Sequence, residues 1–378
     1  MSFRILVDCS FIVPGKNRGT QTYLDSLLIE MNKSPQIQLV CLTTAANDSY
    51  YSDELGLNCF LIKISGSNRL IRVLMQQLFS SYFLKRTKCD VLFCPGYLSP
   101  VFLKKPCVVT IHDMNYRDIP NSVSLLNRLV YRIIIPLSAR QADKIIAVSN
   151  FSRSRILRWL NVALESVHTV HEGPLHGVEL EEESWESLKQ NYKISEDVFL
   201  SVSSGAAHKN ILLLIKAFLI FSRKTDSFDG CLVLIGHYAT DEMKNLLEKS
   251  NDRDRVIFTG FVSEAVKQEF FKGSTFYVFS SLYEGFGLPV LEAQSCGLPL
   301  ICSNAASLPE VAGEGALYFN PHSVDDLVLK LSEVYNNNSL RYSLIEKGYQ
   351  NVEKFTWSRA ATETIDICHS ALELHSYK

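Results

Sequence analysis

The stretch Thr275-Phe276-Tyr277-Val278-Phe279-Ser280-Ser281-Leu282-Tyr283-Glu284-Gly285-Phe286-Gly287-Leu288-Pro289-Val290-Leu291-Glu292-Ala293 decides the fold. Its apolar opening, Thr275 to Phe279, reads as a buried strand. A helical pattern follows from Pro289 and stops at Gly297. Proline suits the first helical position and glycine the one past the last, so the helix is bracketed by its own punctuation. Between strand and helix lie Gly285 and Gly287. Such a loop lets a ligand approach backbone N–H groups, and the helix start favours anions. Two carboxylates flank it, Glu284 in the loop and Glu292 in what the pattern makes the first helical turn. The arrangement predicts a site for a polyhydroxylated, phosphate-bearing ligand. Taken alone, a strand, glycine loop and helix recur throughout α/β proteins, and a glutamate near a helix start is ordinarily just a favourable charge.

Outside this stretch, the 378 residues suggest two domains. With 47% hydrophobic and 21% charged residues the balance is that of a globular protein rather than a disordered one. No apolar run reaches the roughly 18–20 residues that span a bilayer. Met1 to Val7 is too short and too soon interrupted for a signal peptide and reads as a first strand. Ten cysteines occur without a Cys-x-x-Cys pair, several within strand-like runs (Cys41, Cys94, Cys231), which fits buried reduced thiols in a cytoplasmic protein. Residues 1–175 carry 20 Lys and Arg against 12 Asp and Glu, whereas residues 176–378 carry 18 against 28. The basic half suits an anionic membrane surface or acceptor, and nucleic acid is not expected as a partner. Uneven charge that merely keeps two domains soluble is the competing reading.

The first half alternates strands and helices. Strands are expected at Phe3–Cys9, Ile37–Thr43, Asn58–Ile64, Asp90–Cys94 and Cys107–Ile111, which argues for a parallel, doubly wound sheet. Pro14 to Gly19 is a glycine-bearing loop before a helix at Thr20–Met31, so Gly19 sits near a helix start where backbone can meet a diphosphate. The Gly-x4-Gly-Lys-Ser/Thr order of a P-loop is absent. Asn68 to Lys88 is a long helix with Leu70, Leu74 and Leu78 at helical spacing and Arg69, Arg72, Lys85, Arg86 and Lys88 near its ends. Such a helix ordinarily covers a sheet, and its basic ends also suit a membrane surface. His112 closes the strand Cys107–Ile111, and ligands of open α/β sheets gather beyond the carboxyl ends of strands. A lone histidine is more often structural, and Asp113 reads as a support for the loop. A further short strand is expected at Val167–His171. The acidic, glycine-bearing run from Glu172 to Glu196 reads as a linker, with the domain boundary near 173–180.

The second half restarts the alternation at Val198–Ser203, followed by a loop, Lys209-Asn210 and a helix from Ile211. Strands are expected at Cys231–Gly236, Val256–Gly260 and Leu298–Cys302. Asn251-Asp252-Arg253-Asp254 holds a literal Asp-x-Asp, but in a polar turn before a strand, and no metal-ligand spacing occurs elsewhere. The last helix is expected from Trp357 to Leu374.

The Glu284-x7-Glu292 spacing with Gly-Phe-Gly-Leu-Pro between resembles the signature of glycosyltransferase family 4, the group 1 retaining glycosyltransferases of GT-B fold. The likeness is strongest over residues 256–321, clear over 107–153 and partial over 1–30 and 198–218. It implies an α/β chain of two Rossmann-like domains facing across a cleft: residues 1–175 on the acceptor side, 176–356 holding the nucleotide sugar, and 357–378 crossing back to the first domain. It also implies transfer of a sugar from a nucleotide diphosphate sugar to a glycan acceptor hydroxyl, with retention and without metal or other cofactor. GDP-mannose and a polyprenyl-linked acceptor are the first expectation, from likeness to mannosyltransferases of surface polysaccharide assembly, and the seat would be peripheral on the inner membrane face.

On this resemblance His112 faces the donor sugar and Glu284 positions it, both being catalytic. Gly19 and Lys209 meet the diphosphate, Val262 the nucleobase, Gly285, Phe286, Gly287 and Leu288 the donor through their backbone, and Glu292 the ribose diol. Many members carry an arginine where this chain has Ser204, which weakens the cationic clamp. A GT-B nucleotide-sugar epimerase and a non-catalytic nucleotide-sugar-binding protein are the rival readings.

Overall fold

The computed structural model describes residues 3–15, 18–175, 184–194, 197–225, 228–236, 238–250 and 252–376. The acidic run Gly177 to Glu183, expected as linker, lies outside the described residues. Two compact units form, one from Met1–Glu172 with Thr356–Lys378, the other from Gly173–Phe355.

The first unit is built on a seven-stranded sheet: β1 (Phe3–Asp8), β2 (Ile37–Thr44), β3 (Cys59–Ile62), β4 (Val91–Cys94), β5 (Cys107–Ile111), β6 (Lys144–Ala147) and β7 (Val167–Thr169). Their order is β3-β2-β1-β4-β5-β6-β7 and every pairing is parallel. The second unit has β8 (Val198–Val202), β9 (Cys231–Ile235), β10 (Val256–Gly260), β11 (Phe276–Phe279), β12 (Leu300–Ser303) and β13 (Leu317–Phe319), in the order β10-β9-β8-β11-β12-β13, again all parallel. Both sheets carry helices on their faces, so their central strands are buried on both sides and read as near-continuous apolar runs such as Val91-Leu92-Phe93-Cys94 and Phe276-Tyr277-Val278-Phe279. Each sheet reverses its order once, between β1 and β4 and between β8 and β11. Such reversal points are the usual ligand position in open α/β sheets.

Helix ends follow local chemistry. Asn68 caps the Arg69–Thr87 helix by accepting from the Leu70 and Ile71 amides at 3.0 and 3.3 Å, and Lys88 closes it in the left-handed conformation. Ser263 caps the Glu264–Gly273 helix through the Val266 amide. The terminal helix, Trp357–Ser376, packs on the Arg18–Asn32 helix and on β4, β5 and β6 within the first unit.

Three expectations are corrected. The first helix begins at Arg18, so Gly19 lies inside its first turn rather than in the preceding loop. The helix after the glycine loop begins at Leu288, one residue before Pro289, because Gly287 with φ +114° ends the loop, and Glu292 therefore falls in the second turn. The stripe Leu70, Leu74, Leu78 does not cover the sheet: it is exposed, and the buried face of that helix is Gln76, Ser80, Phe83, Leu84 and Thr87.

Candidate active site

In the second unit the loops that follow β8 and β11 are tied to each other at the point where the sheet order reverses. The Leu282 amide donates to the His208 carbonyl at 2.7 Å, and the Ser280 and Ser281 hydroxyls donate to the carbonyls of Lys209 and His208. Asn210 adopts φ +58°, which turns the chain from the short 3-10 turn Ala207–Lys209 into the Ile211–Lys224 helix. This turn sends the Lys209 side chain back over the Phe279 ring, with Nζ 5.6 Å from its centroid and 2.6 Å from Glu284 Oε1. Side-chain exposures of 17% and 14% put this pair in a partly dehydrated site, where its charges act more strongly than in water.

The glycine loop is held from behind by Ser307, whose hydroxyl donates to the carbonyls of Glu284 and Phe286 at 3.0 and 2.7 Å. Phe286 itself is buried against Phe355, so its side chain anchors the loop. Any other residue at 287 is strained: beyond its φ, a Cβ there would lie 2.8 Å from Leu308 Cδ2.

Glu292 is 8% exposed. Its Oε1 takes Lys267 Nζ at 3.2 Å, while its Oε2 has no hydrogen-bond partner among the described residues. Burial pushes the carboxyl above its ordinary pKa, against the pull of Lys267. Burial alone would lower Lys267, but Glu292 and Glu264 (2.6 Å away) outweigh it and hold the ammonium above its ordinary value. The site thus keeps one buried acceptor oxygen spare for a donor such as a hydroxyl.

At the edge of the sheet, β10 slips register between Phe258 and Gly260. Gly260 (φ +66°) and Gly236 (φ +77°) bring the strand ends close: a Cβ would meet the Tyr238 hydroxyl at 2.7 Å in one and the Ser203 carbonyl at 2.6 Å in the other. Phe261, just before Val262, and Tyr238 stand exposed with rings 6.2 Å apart.

In the first unit, His112 leaves the end of β5. Its Nε2–H donates to the Pro95 carbonyl at 2.9 Å, Nδ1 lies 3.8 Å from Glu172, and Tyr23 sits edge-on to the ring at 4.7 Å. Asp113 accepts from the Asn115 amide and the Tyr97 hydroxyl, both at 2.9 Å, which supports the loop. The crevice between β1 and β4 opens into a cavity of about 410 Å³. Asp8 at its floor accepts from Ser10 and from Gln76 Nε2, and Arg72 reaches the carbonyls of Ser10 and Phe11. Gly19 is exposed, and a Cβ there would meet open space.

Comparison with known proteins identifies the family and the fold. The family model described as "Glycosyl transferases group 1" matches residues 184–351, and that described as "Glycosyltransferase Family 4" matches residues 17–173. The chain belongs to the family 4, group 1 glycosyltransferases. It is 28% identical to O-antigen chain mannosyltransferase B of Escherichia coli over 76% of each chain. A glycosyltransferase of Rickettsia africae shares the fold at TM-score 0.75 and 15% identity, over 98% of this chain and 99% of that one. An Anabaena protein, HepE, solved with UDP and glucose, does so at TM-score 0.74 and 16% identity, over 97% and 100%. The fold is GT-B.

In this glycosyltransferase the second unit brings together Lys209, Glu284 and the Gly285–Leu288 loop, with Glu292 on the helix that follows. His112 and Gly19 belong to the first unit. Lys267 and Ser307 hold Glu292 and the glycine loop, and neither carries a functional expectation from the sequence. Ser307 stood in a stretch that already resembled the family, but Lys267 offered only an i,i+3 pairing with Glu264 and nothing that pointed to Glu292. Asp252 of the Asp-x-Asp is engaged by Arg223 and Arg255 at 3.5 and 3.9 Å.

Proposed function

We propose that the enzyme transfers mannose from GDP-mannose to a hydroxyl of a lipid-linked glycan, with retention at the anomeric carbon and without a metal ion, in the assembly of an O-antigen or similar surface polysaccharide. The observation that carries the nucleotide-sugar part is the pair of acceptor and cation in one unit. Glu292 Oε2 is buried with its lone pairs unclaimed among the described residues, and suits a ribose hydroxyl. Lys209 at the start of a helix suits the departing diphosphate, which needs positive charge and aligned N–H groups as the glycosidic bond breaks. Glu284 beside it suits the sugar hydroxyls. Mannose, and the O-antigen setting, rest on likeness to the E. coli O-antigen chain mannosyltransferase. Retention, with the departing phosphate assisting same-face attack, rests on family membership.

A thermal-shift panel of GDP, UDP, ADP and their sugars, with and without EDTA, tests the reading. A ligand that binds only the folded state raises its stability by RT ln(1 + [L]/Kd), so millimolar nucleotide reveals even weak sites. A GDP-selective shift that EDTA leaves unchanged is expected. A UDP-selective shift would replace the donor, an EDTA-sensitive one would bring a metal into donor binding, and no shift with any nucleotide would overturn the assignment.

A further inference from the structure

Among the described residues, 22 large apolar side chains are exposed, and 13 of them fall on one part of the first unit. Six are on the Arg69–Thr87 helix (Leu70, Ile71, Leu74, Leu78, Phe79, Tyr82), six on the Leu125–Gln141 helix (Leu125, Leu126, Leu129, Val130, Ile133, Leu137), and one is Phe102, which is 81% exposed. These positions recur every three or four residues, so each helix turns an apolar stripe outward while polar Gln76, Ser80 and Ser138 are buried beneath. The two helices are neighbours. Arg69 Nη2 donates to the Tyr131 hydroxyl at 2.8 Å, and the Ser99 carbonyl accepts from Gln77 of one helix and Ser138 of the other. The Val101 amide donates to Gln77 Oε1, which places Phe102 beside them.

The charge on the two helices themselves is of one sign. Neither helix contains an Asp or Glu, and residues 119–142 contain none at all. Arg69, Arg72, Lys85, Arg86, Lys88, Lys104, Lys105, Arg128, Arg132 and Arg140 lie on or next to the two helices. Outward apolar stripes ringed by cations and free of carboxylates match the boundary between acyl chains and anionic head groups. No described helix is long and apolar enough to cross a membrane, so engagement of this kind lies in the plane of the interface.

We infer that these two helices, with Phe102, Lys104 and Lys105 of the loop between β4 and β5, form a docking face for an anionic lipid bilayer. The same two helices line the cavity at the β1/β4 crevice through Arg69, Arg72, Gln76, Tyr131 and Ile135. A bilayer seated on this face would present a lipid-linked acceptor to that cavity, which deepens the acceptor side of the proposed function. The docking itself does not depend on the donor assignment.

Flotation of the full chain with vesicles tests it. Wild type should float with phosphatidylglycerol-containing vesicles, far less with pure phosphatidylcholine, and less as salt rises. The Leu74→Glu/Leu129→Glu double variant and Phe102→Glu should each lose at least about tenfold in partitioning. Lys104→Ser/Lys105→Ser should lose roughly fivefold per cation. All these side chains are exposed or in a surface loop, and an unchanged melting temperature and nucleotide-induced shift would show that the fold and donor site persist. Failure of wild type to float with any vesicle overturns the inference, as does flotation indifferent to all the substitutions. A face that instead joins two copies would appear in light scattering as a dimer that Leu74→Glu/Leu129→Glu splits, without vesicle binding, and would also overturn it. Flotation as expected with no nucleotide shift would leave docking standing and sink the transferase reading.

Discussion

Lys209 Nζ lies 2.6 Å from Glu284 Oε1, and this ion pair joins the loop after β8 to the loop after β11, on either side of the point where the sheet order reverses. The lysine proposed to meet a diphosphate is therefore already neutralised by the carboxylate proposed to meet the sugar. An arriving diphosphate competes with Glu284 for the same ammonium.

That competition separates binding from turnover. Glu284→Gln removes the competing charge and keeps the size of the side chain, so nucleoside diphosphate should bind several-fold tighter by calorimetry. Transfer should nonetheless fall by about 10²–10³-fold, as when a positioned polar group is lost from an active site. Lys209→Met should lose both binding and turnover, and the double variant should cost less than the two losses combined. Full turnover in Glu284→Gln would remove Glu284 from the chemistry.

Glu292 yields a test at the level of one hydroxyl. If its spare Oε2 takes a ribose hydroxyl, Glu292→Ala should raise the donor KM by about 10–100-fold, the cost of a hydrogen bond to a charged group, with kcat nearly unchanged. Wild type should favour a ribonucleotide over its 2′-deoxy counterpart, and the variant should bind the two alike. Undiminished ribose preference in the variant would place the ribose elsewhere.

What could be read from the chain, and what could not, divides by the range of the interactions. The bracketing of a helix by Pro289 and Gly297 and the extent of the helix expected from Asn68 to Lys88 are local chemistry, and the structure keeps both within a residue or two. The alternation that implied two parallel sheets is a pattern of whole segments and survives small errors of boundary. Lys267 meets Glu292 from another helix, 25 residues earlier, and only tertiary packing makes that contact. The stripe on the Arg69–Thr87 helix was visible as a period of three to four, but periodicity tells that a stripe exists and not which way it faces. His112 was placed at a strand end by its sequence neighbours, whereas its bond to the Pro95 carbonyl depends on the adjacent strand β4 and its loop.

Gly287 tests the geometry of the loop rather than its charges. A side chain there faces both an unfavourable φ of +114° and contact with Leu308, so Gly287→Ala should lower stability by about 1–3 kcal/mol and shift the melting temperature by several degrees. Because the displaced backbone carries Glu284 on one side and the helix start on the other, donor binding should weaken as well. Gly19→Ala, where a Cβ meets open space, should leave the melting temperature within about a degree, in keeping with an exposed surface substitution.

Asp8, buried at the floor of the first unit's cavity, makes stability depend on pH in a direction that can be stated. Burial raises its pKa above the ordinary 3.8 despite the bonds from Ser10 and Gln76, so the folded chain holds a proton that the unfolded chain has already released. As pH rises from 3.8 through the native value, wild type therefore loses stability relative to a variant that cannot ionise, and above that window the difference is constant. Asp8→Asn keeps an oxygen for Ser10 but turns an amide toward Gln76, which costs the same at every pH. The melting temperature of wild type minus that of Asp8→Asn should thus fall with rising pH across the carboxylate range and then level off. A difference that rises with pH would mean that Ser10, Gln76 and Arg72 stabilise the ionised carboxylate more than burial opposes it.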